Sequence, residues 1–193
     1  MEQKKAIVVY GASSENINPR YKEAAHRLGQ LIAENGATLI SGGGRAGIMK
    51  ASIEGATEAG GETIGVLPSF MVARSWQHPS LTQMIETETM HIRKETMAKL
   101  STAAIACPGG CGTFEELMEI ITWRQLNLYS GNVVILNTDN YYGPLLEMLQ
   151  RTIDEGFMRG DHKGLWYVAT TPEEAVEYAL KECELKSFTQ KIK

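Results

Sequence analysis

Residues 101–123 read STAAIACPGGCGTFEELMEIITW: a run of small apolar residues, three glycines within four positions, then a stretch with helical spacing. Ala103–Cys107 is short, uninterrupted and bounded by turn signals, which fits a strand covered on both faces. From Phe114 the apolar positions Leu117, Ile120, Ile121 and Trp123 recur with the period of a helix, predicted over Phe114–Tyr129. A strand, a glycine turn and a helix make half of a βαβ unit. The fold therefore depends on whether that unit recurs.

It recurs along nearly the whole chain. Strands are predicted at Lys5–Tyr10, Ala37–Ser41, Glu62–Leu67, Gln83–Thr87, Ala103–Cys107, Val133–Leu136 and Leu165–Ala169. Helices are predicted between and after them at Tyr21–Asn35, Ile48–Ala59, His91–Leu100, Phe114–Tyr129, Pro144–Glu155 and Pro172–Leu185. This alternation implies an α/β fold, a doubly wound, Rossmann-like parallel sheet in a single domain, with ligands outside the carboxyl ends of the strands. Residues 1–185 are expected to form that domain, and Lys186–Lys193 a polar tail. Pro68–Leu81 is the long irregular segment after a strand, either a lid over a site or a surface excursion.

Composition narrows the function classes. The 193 residues are 43% hydrophobic and 22% charged with a net charge of −4, which suits an ordinary domain and disfavours a nucleic-acid-gripping one. The apolar run Ala6–Tyr10 is too short for a signal segment, and no stretch is long enough to span a membrane, so a cytoplasmic protein is expected. Cys107, Cys111 and Cys183 are an odd set without framework spacing, expected as reduced thiols. The C-x₃-C pair lacks a second pair nearby, so no metal site is expected.

A second glycine loop, SGGGRAGIMKA at residues 41–51, also joins a strand to a helix. Gly42, Gly44 and Gly47 match G-x-G-x-x-G, but the following strand ends Gly65-Val66-Leu67-Pro68 without the acid that a dinucleotide ribose requires. Ile48 and Met49 stand where a Walker loop has Lys and Ser/Thr. No cofactor is therefore expected. Glycines do let a backbone approach an anion at a helix N-terminus. Two such loops, with Gly43 and Gly44 in one and Gly109, Gly110 and Gly112 in the other, could cradle one ligand from two sides, such as a mononucleotide or sugar phosphate. Ser13 and Ser14, after the first strand, either bond that ligand or cap the first helix. Thr113 and Glu116 fit a T-x-x-E capping box, with Thr113 as N-cap; a carboxylate acting on a ligand fits as well.

The motif MHIRKETM, residues 90–97, places Arg93 and Lys94 early in a helix, where a basic pair is ordinarily a solvated face. Taken with GASSEN, SGGGRAGIM and PGGCGTFEE, it makes the chain resemble the Lonely Guy (LOG) family over roughly residues 6–179. That family consists of cytokinin-activating phosphoribohydrolases with a Rossmann-like fold, many of them labelled lysine decarboxylases. The resemblance implies hydrolysis of the N-glycosidic bond of adenosine 5′-monophosphates, N6-modified ones included, releasing free base and ribose 5-phosphate. It implies catalytic roles for Arg93 and Glu116, and substrate contacts at Lys94, at Gly110, Cys111, Gly112, Thr113, Phe114 and Glu115, and at Thr122. It also implies a homodimer, to which Leu126, Leu128 and Tyr129 could contribute an apolar surface.

Two departures bear on the base and the lid. Ile92 replaces an acid found in many members, and Ser75 stands where some carry a glutamate three residues before the lid histidine, here His78. His78 and His91 are weaker candidates for protonating a leaving base, since histidines in aromatic surface loops are common. The alternative from another class is a non-catalytic nucleotide-binding or carrier protein on the same fold, with Glu116 as a mere cap.

Overall fold

A computed structural model describes residues 4–183. Seven parallel strands form one sheet: β1 (Ala6–Tyr10), β2 (Thr38–Ser41), β3 (Thr63–Pro68), β4 (Gln83–Thr87), β5 (Ala103–Ala106), β6 (Asn132–Leu136) and β7 (Tyr167–Ala169). Their spatial order is β4-β3-β2-β1-β5-β6-β7. The chain thus starts in the middle, winds out to one edge, then returns to the other side of β1. Connections leaving β1 and β5 diverge at that reversal, and a crevice opens at the carboxyl ends of the strands.

The helices are α1 (Pro19–Glu34), α2 (Gly47–Glu58), the short α3 (Ser69–Val72), α4 (Met90–Leu100), α5 (Cys111–Gln125), α6 (Gly143–Asp154) and α7 (Pro172–Leu180). Strand β1 shows why the strands read apolar throughout. Ile7 and Val9 join a core with residues of α1, α2 and α7, whereas Ala6, Val8 and Tyr10 join one with residues of α4 and α5. Side chains alternate across a strand, so a sheet covered on both faces needs apolar residues at every position. Edge strand β4 is largely exposed, and its sequence QMIET is correspondingly polar.

Several boundaries differ from expectation. The last strand begins at Tyr167, because Gly160–Leu165 forms a 3-10 turn that buries Leu165 in the core. Helix α7 stops at Leu180; the rest of its expected span runs past Cys183, and the expected tail, 186–193, lies outside the described residues. Tyr129 is not part of an apolar surface: it is 6% exposed, and its hydroxyl pairs with Ser101 Oγ at 3.1 Å. Leu126 and Leu128 do face outward, 50% and 70% exposed. No described helix is long and apolar enough to cross a membrane.

Candidate active site

The β5–α5 turn holds its carbonyls fixed and leaves its amides outward. Tyr142 Oη donates to Cys107 O at 2.7 Å, and Tyr141 Oη to Gly109 O at 2.5 Å. Gly110 is the N-cap of α5, in extended backbone and without a side chain to bond the first turn. The N–H groups of Cys111, Gly112 and Thr113 have no acceptor within the helix. Nothing crowds Gly110 or Gly112, so an anion can approach this end of α5 closely.

The capping box expected at Thr113 and Glu116 does not form. Helix α5 begins three residues earlier than its T-x-x-E motif suggests, which puts Thr113 inside the first turn, 4% exposed. Its side chain packs on the bare Cα of Gly109, where a Cβ would lie 2.1 Å from Thr113 Oγ1. Glu116 then falls in the second turn, out of reach of the cap and facing α4.

Arg93 and Lys94 are not a solvated face either; each is 6% exposed. Thr89 caps α4 by accepting from Ile92 N at 3.2 Å, and the two cations follow in the first turns. Arg93 Nε donates to Val66 O at 2.9 Å, and its Nη1 to Glu116 Oε1 at 3.1 Å. The Lys94 ammonium lies 2.8 Å from Glu115 Oε1 and 3.2 Å from Glu119 Oε2. Burial pushes the Glu116 carboxyl above the ordinary carboxylate range, and the attraction of Arg93 only partly offsets it. Burial opposes the Lys94 charge too, but there the two carboxylates win and raise its pKa. Glu115, more exposed and bonded to Lys94, is held low. Burial also raises Tyr10, beside this cluster at the end of β1.

A cavity of about 640 Å³ lies over these groups at the strand ends. Gly110, Gly112 and Thr113 line its β5 end, with Ser13 and Ser14 beside them; Arg93 and Glu116 are in its wall. Leu67, Met71, Trp76 and Met90 give the far side, toward β3, an apolar face. The Pro68–Leu81 segment is thus part of the cavity wall. It is fastened to the first glycine loop: Gly44 and Gln77 form an antiparallel bridge, Arg45 N donates to Trp76 O at 3.0 Å, and His78 N to Gly43 O at 2.8 Å. This docking buries His78 to 5% exposure outside the cavity lining, and burial lowers its pKa.

Among the expected site residues, the cavity gathers Arg93, Glu116, Lys94, Gly110, Gly112, Thr113, Glu115, Gly44 and Ser13. Five lie outside its lining. Gly43 packs against Leu67, Gly109 lies under Thr113, and Phe114 stacks edge-on against Tyr142 at 6.0 Å. Cys111, at the start of α5, and Thr122, farther along it, are both exposed, and Thr122 Oγ1 donates to Met118 O. Sequence reasoning missed Tyr10, Met49, Met71, Met90 and Arg45. Arg45 was legible as a cation beside glycines. It is exposed at the rim, with no carboxylate partner among the described residues, whereas Arg93 and Lys94 are both paired.

The strand order and the cleft at its point of reversal make this a Rossmann-like α/β protein. A family model described as "Possible lysine decarboxylase" matches residues 49–179. The chain is 35% identical over 189 residues to a cytokinin riboside 5′-monophosphate phosphoribohydrolase of Arabidopsis thaliana, covering 97% of this chain and 87% of that one. It is 36% identical over 170 residues to another of Oryza sativa subsp. japonica, covering 88% and 70%. Among solved structures it is similar to the molybdenum cofactor binding protein of Rippkaea orientalis, with a TM-score of 0.72 and 29% identity over 92% of this chain and 96% of that one. The chain belongs to the LOG family, to which the decarboxylase label is also attached.

Proposed function

We propose that the protein hydrolyses the N-glycosidic bond of adenosine 5′-monophosphates, N6-modified ones included, to free base and ribose 5-phosphate. The observation that carries this reading is the buried Arg93–Glu116 pair set one turn below the uncapped start of α5. The 5′-phosphate binds the open N–H groups of α5, with Arg45 as the available cation. Its binding energy, remote from the reacting carbon, holds the ribose over Glu116. As the bond from C1′ to the base nitrogen breaks, its electron pair leaves with the base and positive charge grows on the ribose. The Glu116 carboxylate stabilises that charge and takes a proton from the water whose oxygen adds to C1′. The departing base nitrogen takes up a proton from solvent, and Glu116 then releases its own to solvent. Arg93 orients the carboxylate and favours its ionised form against burial. The apolar face of Leu67, Met71, Trp76 and Met90 receives the base.

The names of the Arabidopsis and Oryza relatives support the same chemistry. Chromatography of AMP and N6-substituted AMP incubations should detect free base and ribose 5-phosphate, in EDTA as in its absence. Equal kcat/KM on AMP and adenosine would reject the phosphate anchor, and ribose 1-phosphate as product would mean a phosphorylase. The likeness to a molybdenum cofactor binding protein favours a second reading, a non-catalytic nucleotide-binding or carrier protein. Tight nucleotide binding without turnover would select it. The protein is further proposed to act in the cytoplasm with its cysteines reduced. It is also proposed to pair as a homodimer through a surface that includes Leu126 and Leu128, which sedimentation would test.

A further inference from the structure

Gly42, the first glycine after β2, has no need of glycine for backbone reasons, since its φ lies outside the left-handed region. What a side chain would meet there is Arg93. A Cβ on Gly42 would lie 1.9 Å from Arg93 Nη2, 3.1 Å from Arg93 Cζ and 2.9 Å from Met49 Sδ. Met49 is flexible and can move aside, but the guanidinium cannot retreat easily. Its Nε is bonded to Val66 O on β3, its Nη1 to Glu116 on α5, and the residue is 6% exposed. The flat cation is therefore held on three sides, by two acceptors and one bare Cα.

We propose that Gly42 is a positioning residue for the Arg93–Glu116 pair: its missing side chain is the seat of the guanidinium, and a Cβ there would lift Arg93 off Glu116. The inference rests on the proposed role of that pair in hydrolysis. It assigns this glycine to the protein's own arginine, whereas the sequence motif suggests that it admits a ligand phosphate. The two roles make different predictions, because a seat matters only while its occupant is present.

The test is Gly42→Ala, alone and combined with Arg93→Ala. In the otherwise native protein, Gly42→Ala should lower kcat about 10²-fold, the scale expected for a misplacement near 1 Å. KM for the nucleotide and Kd for ribose 5-phosphate should stay within about 3-fold, since that change is no larger than the loss of a weak contact. The acid limb of the kcat profile should move to higher pH. Lys94 on α4, Glu115 and Glu119 on α5, Tyr10 on β1 and Tyr142 also surround Glu116, but Arg93 is the cation bonded to it. In the Arg93→Ala background, Gly42→Ala should change kcat less than about 3-fold, because no guanidinium remains to displace. A weakened Kd for ribose 5-phosphate in both backgrounds would assign Gly42 to the ligand and overturn the proposal. If Gly42→Ala alone does not fold, the double variant should recover a native melting transition, and its failure to do so would also overturn it. An inactive wild-type protein would reject the hydrolase reading alone. The Glu116 carboxyl, titrated by ¹³C NMR, would still decide the seat: a higher pKa in Gly42→Ala supports it, and an unchanged one refutes it.

Discussion

The β2–α2 and β5–α5 loops are spelled alike, SGGGRAG against PGGCGT, and each turns a parallel strand into a helix. Their helix starts end in opposite electrostatic conditions. At α2, Gly47 N donates to Glu15 Oε1 at 3.3 Å and Ile48 N to Ala12 O at 2.8 Å, so the first two donors of the turn are already engaged. Gly47 opens on a separate surface groove with Glu15 and Lys22, away from the main cavity. At α5 no side chain caps the turn, and the space above Gly110 and Gly112 is open. On the proposed reading, one loop seats Arg93, docks the Pro68–Leu81 segment and lends Arg45 to the cavity lining, and the other offers the anion site. A glycine pattern specifies a tight turn between strand and helix. Whether that turn is free to bind anything depends on partners supplied from elsewhere in the chain.

The largest expected effect tests the chemistry placed beside the open loop. Glu116→Gln keeps the shape and removes the charge, and should lower kcat by roughly 10²–10⁴, or about 3–5 kcal/mol of barrier. Stability should not fall with it. Burial raises the folded-state pKa of Glu116, so protonation favours folding: this contribution is present at low pH and lost as pH rises through the raised pKa. A neutral glutamine at pH 7 should accordingly leave the melting temperature unchanged or higher. In the wild-type enzyme, kcat should fall with acidification at a pH above the ordinary glutamate value of about 4.3. Normal turnover in Glu116→Gln would return the residue to a structural role.

A second variant attacks the anion site itself. Gly110 has an extended backbone and no neighbour within contact distance of a new Cβ, so aspartate should fit. As an N-cap it would bond the first-turn amides from within and repel a phosphate. Stability should hold or rise by about 0.5 kcal/mol, while KM for AMP rises on the order of 10–100-fold with kcat less affected. An unchanged KM would break the assignment of the phosphate to α5.

The architecture was legible because periodicity and turn residues are local, and all seven predicted strands occur within a few residues of their expected positions. The site was legible only in part. The Thr113–Glu116 spacing suggested a cap, but where α5 begins depends on a turn pinned by Tyr141 and Tyr142, more than thirty residues later in the chain. Lys94 read as a substrate contact and does line the cavity, but the carboxylates that hold it lie on another helix and left no local sign. His78 read as a surface residue because nothing local reveals that the lid docks on Gly43. Each miss concerns a partner distant in sequence.

The lid gives a middle-sized prediction. Trp76 is 42% exposed, lies against the Arg74 guanidinium at 5.2 Å and lines the cavity. If it is the wall for the base, Trp76→Ala should lower kcat/KM about 5–10-fold, the scale of one lost base-stacking contact. N6-substituted AMP should suffer most, while inhibition by ribose 5-phosphate, which has no base, should not change. Equal loss for both ligands would mean that Trp76 holds the loop rather than the base.

The smallest expected effect tests the engaged loop from the other side. Glu15 is half exposed and supplies one of the two acceptors at the start of α2. Glu15→Ala should cost about 0.5 kcal/mol of stability, toward the low end for loss of a helix-capping contact, read as a slightly lower melting temperature. KM for AMP should stay within about twofold if the phosphate sits on α5 as proposed, since the Gly47 amide opens on a different groove. The opposite result would be informative. If α2 were a second anion site masked by Glu15, removing the carboxylate would free its amide and remove a repelling charge, and KM would fall several-fold. Such a fall would erase the difference between the two loops and restore a cradle closed from both sides.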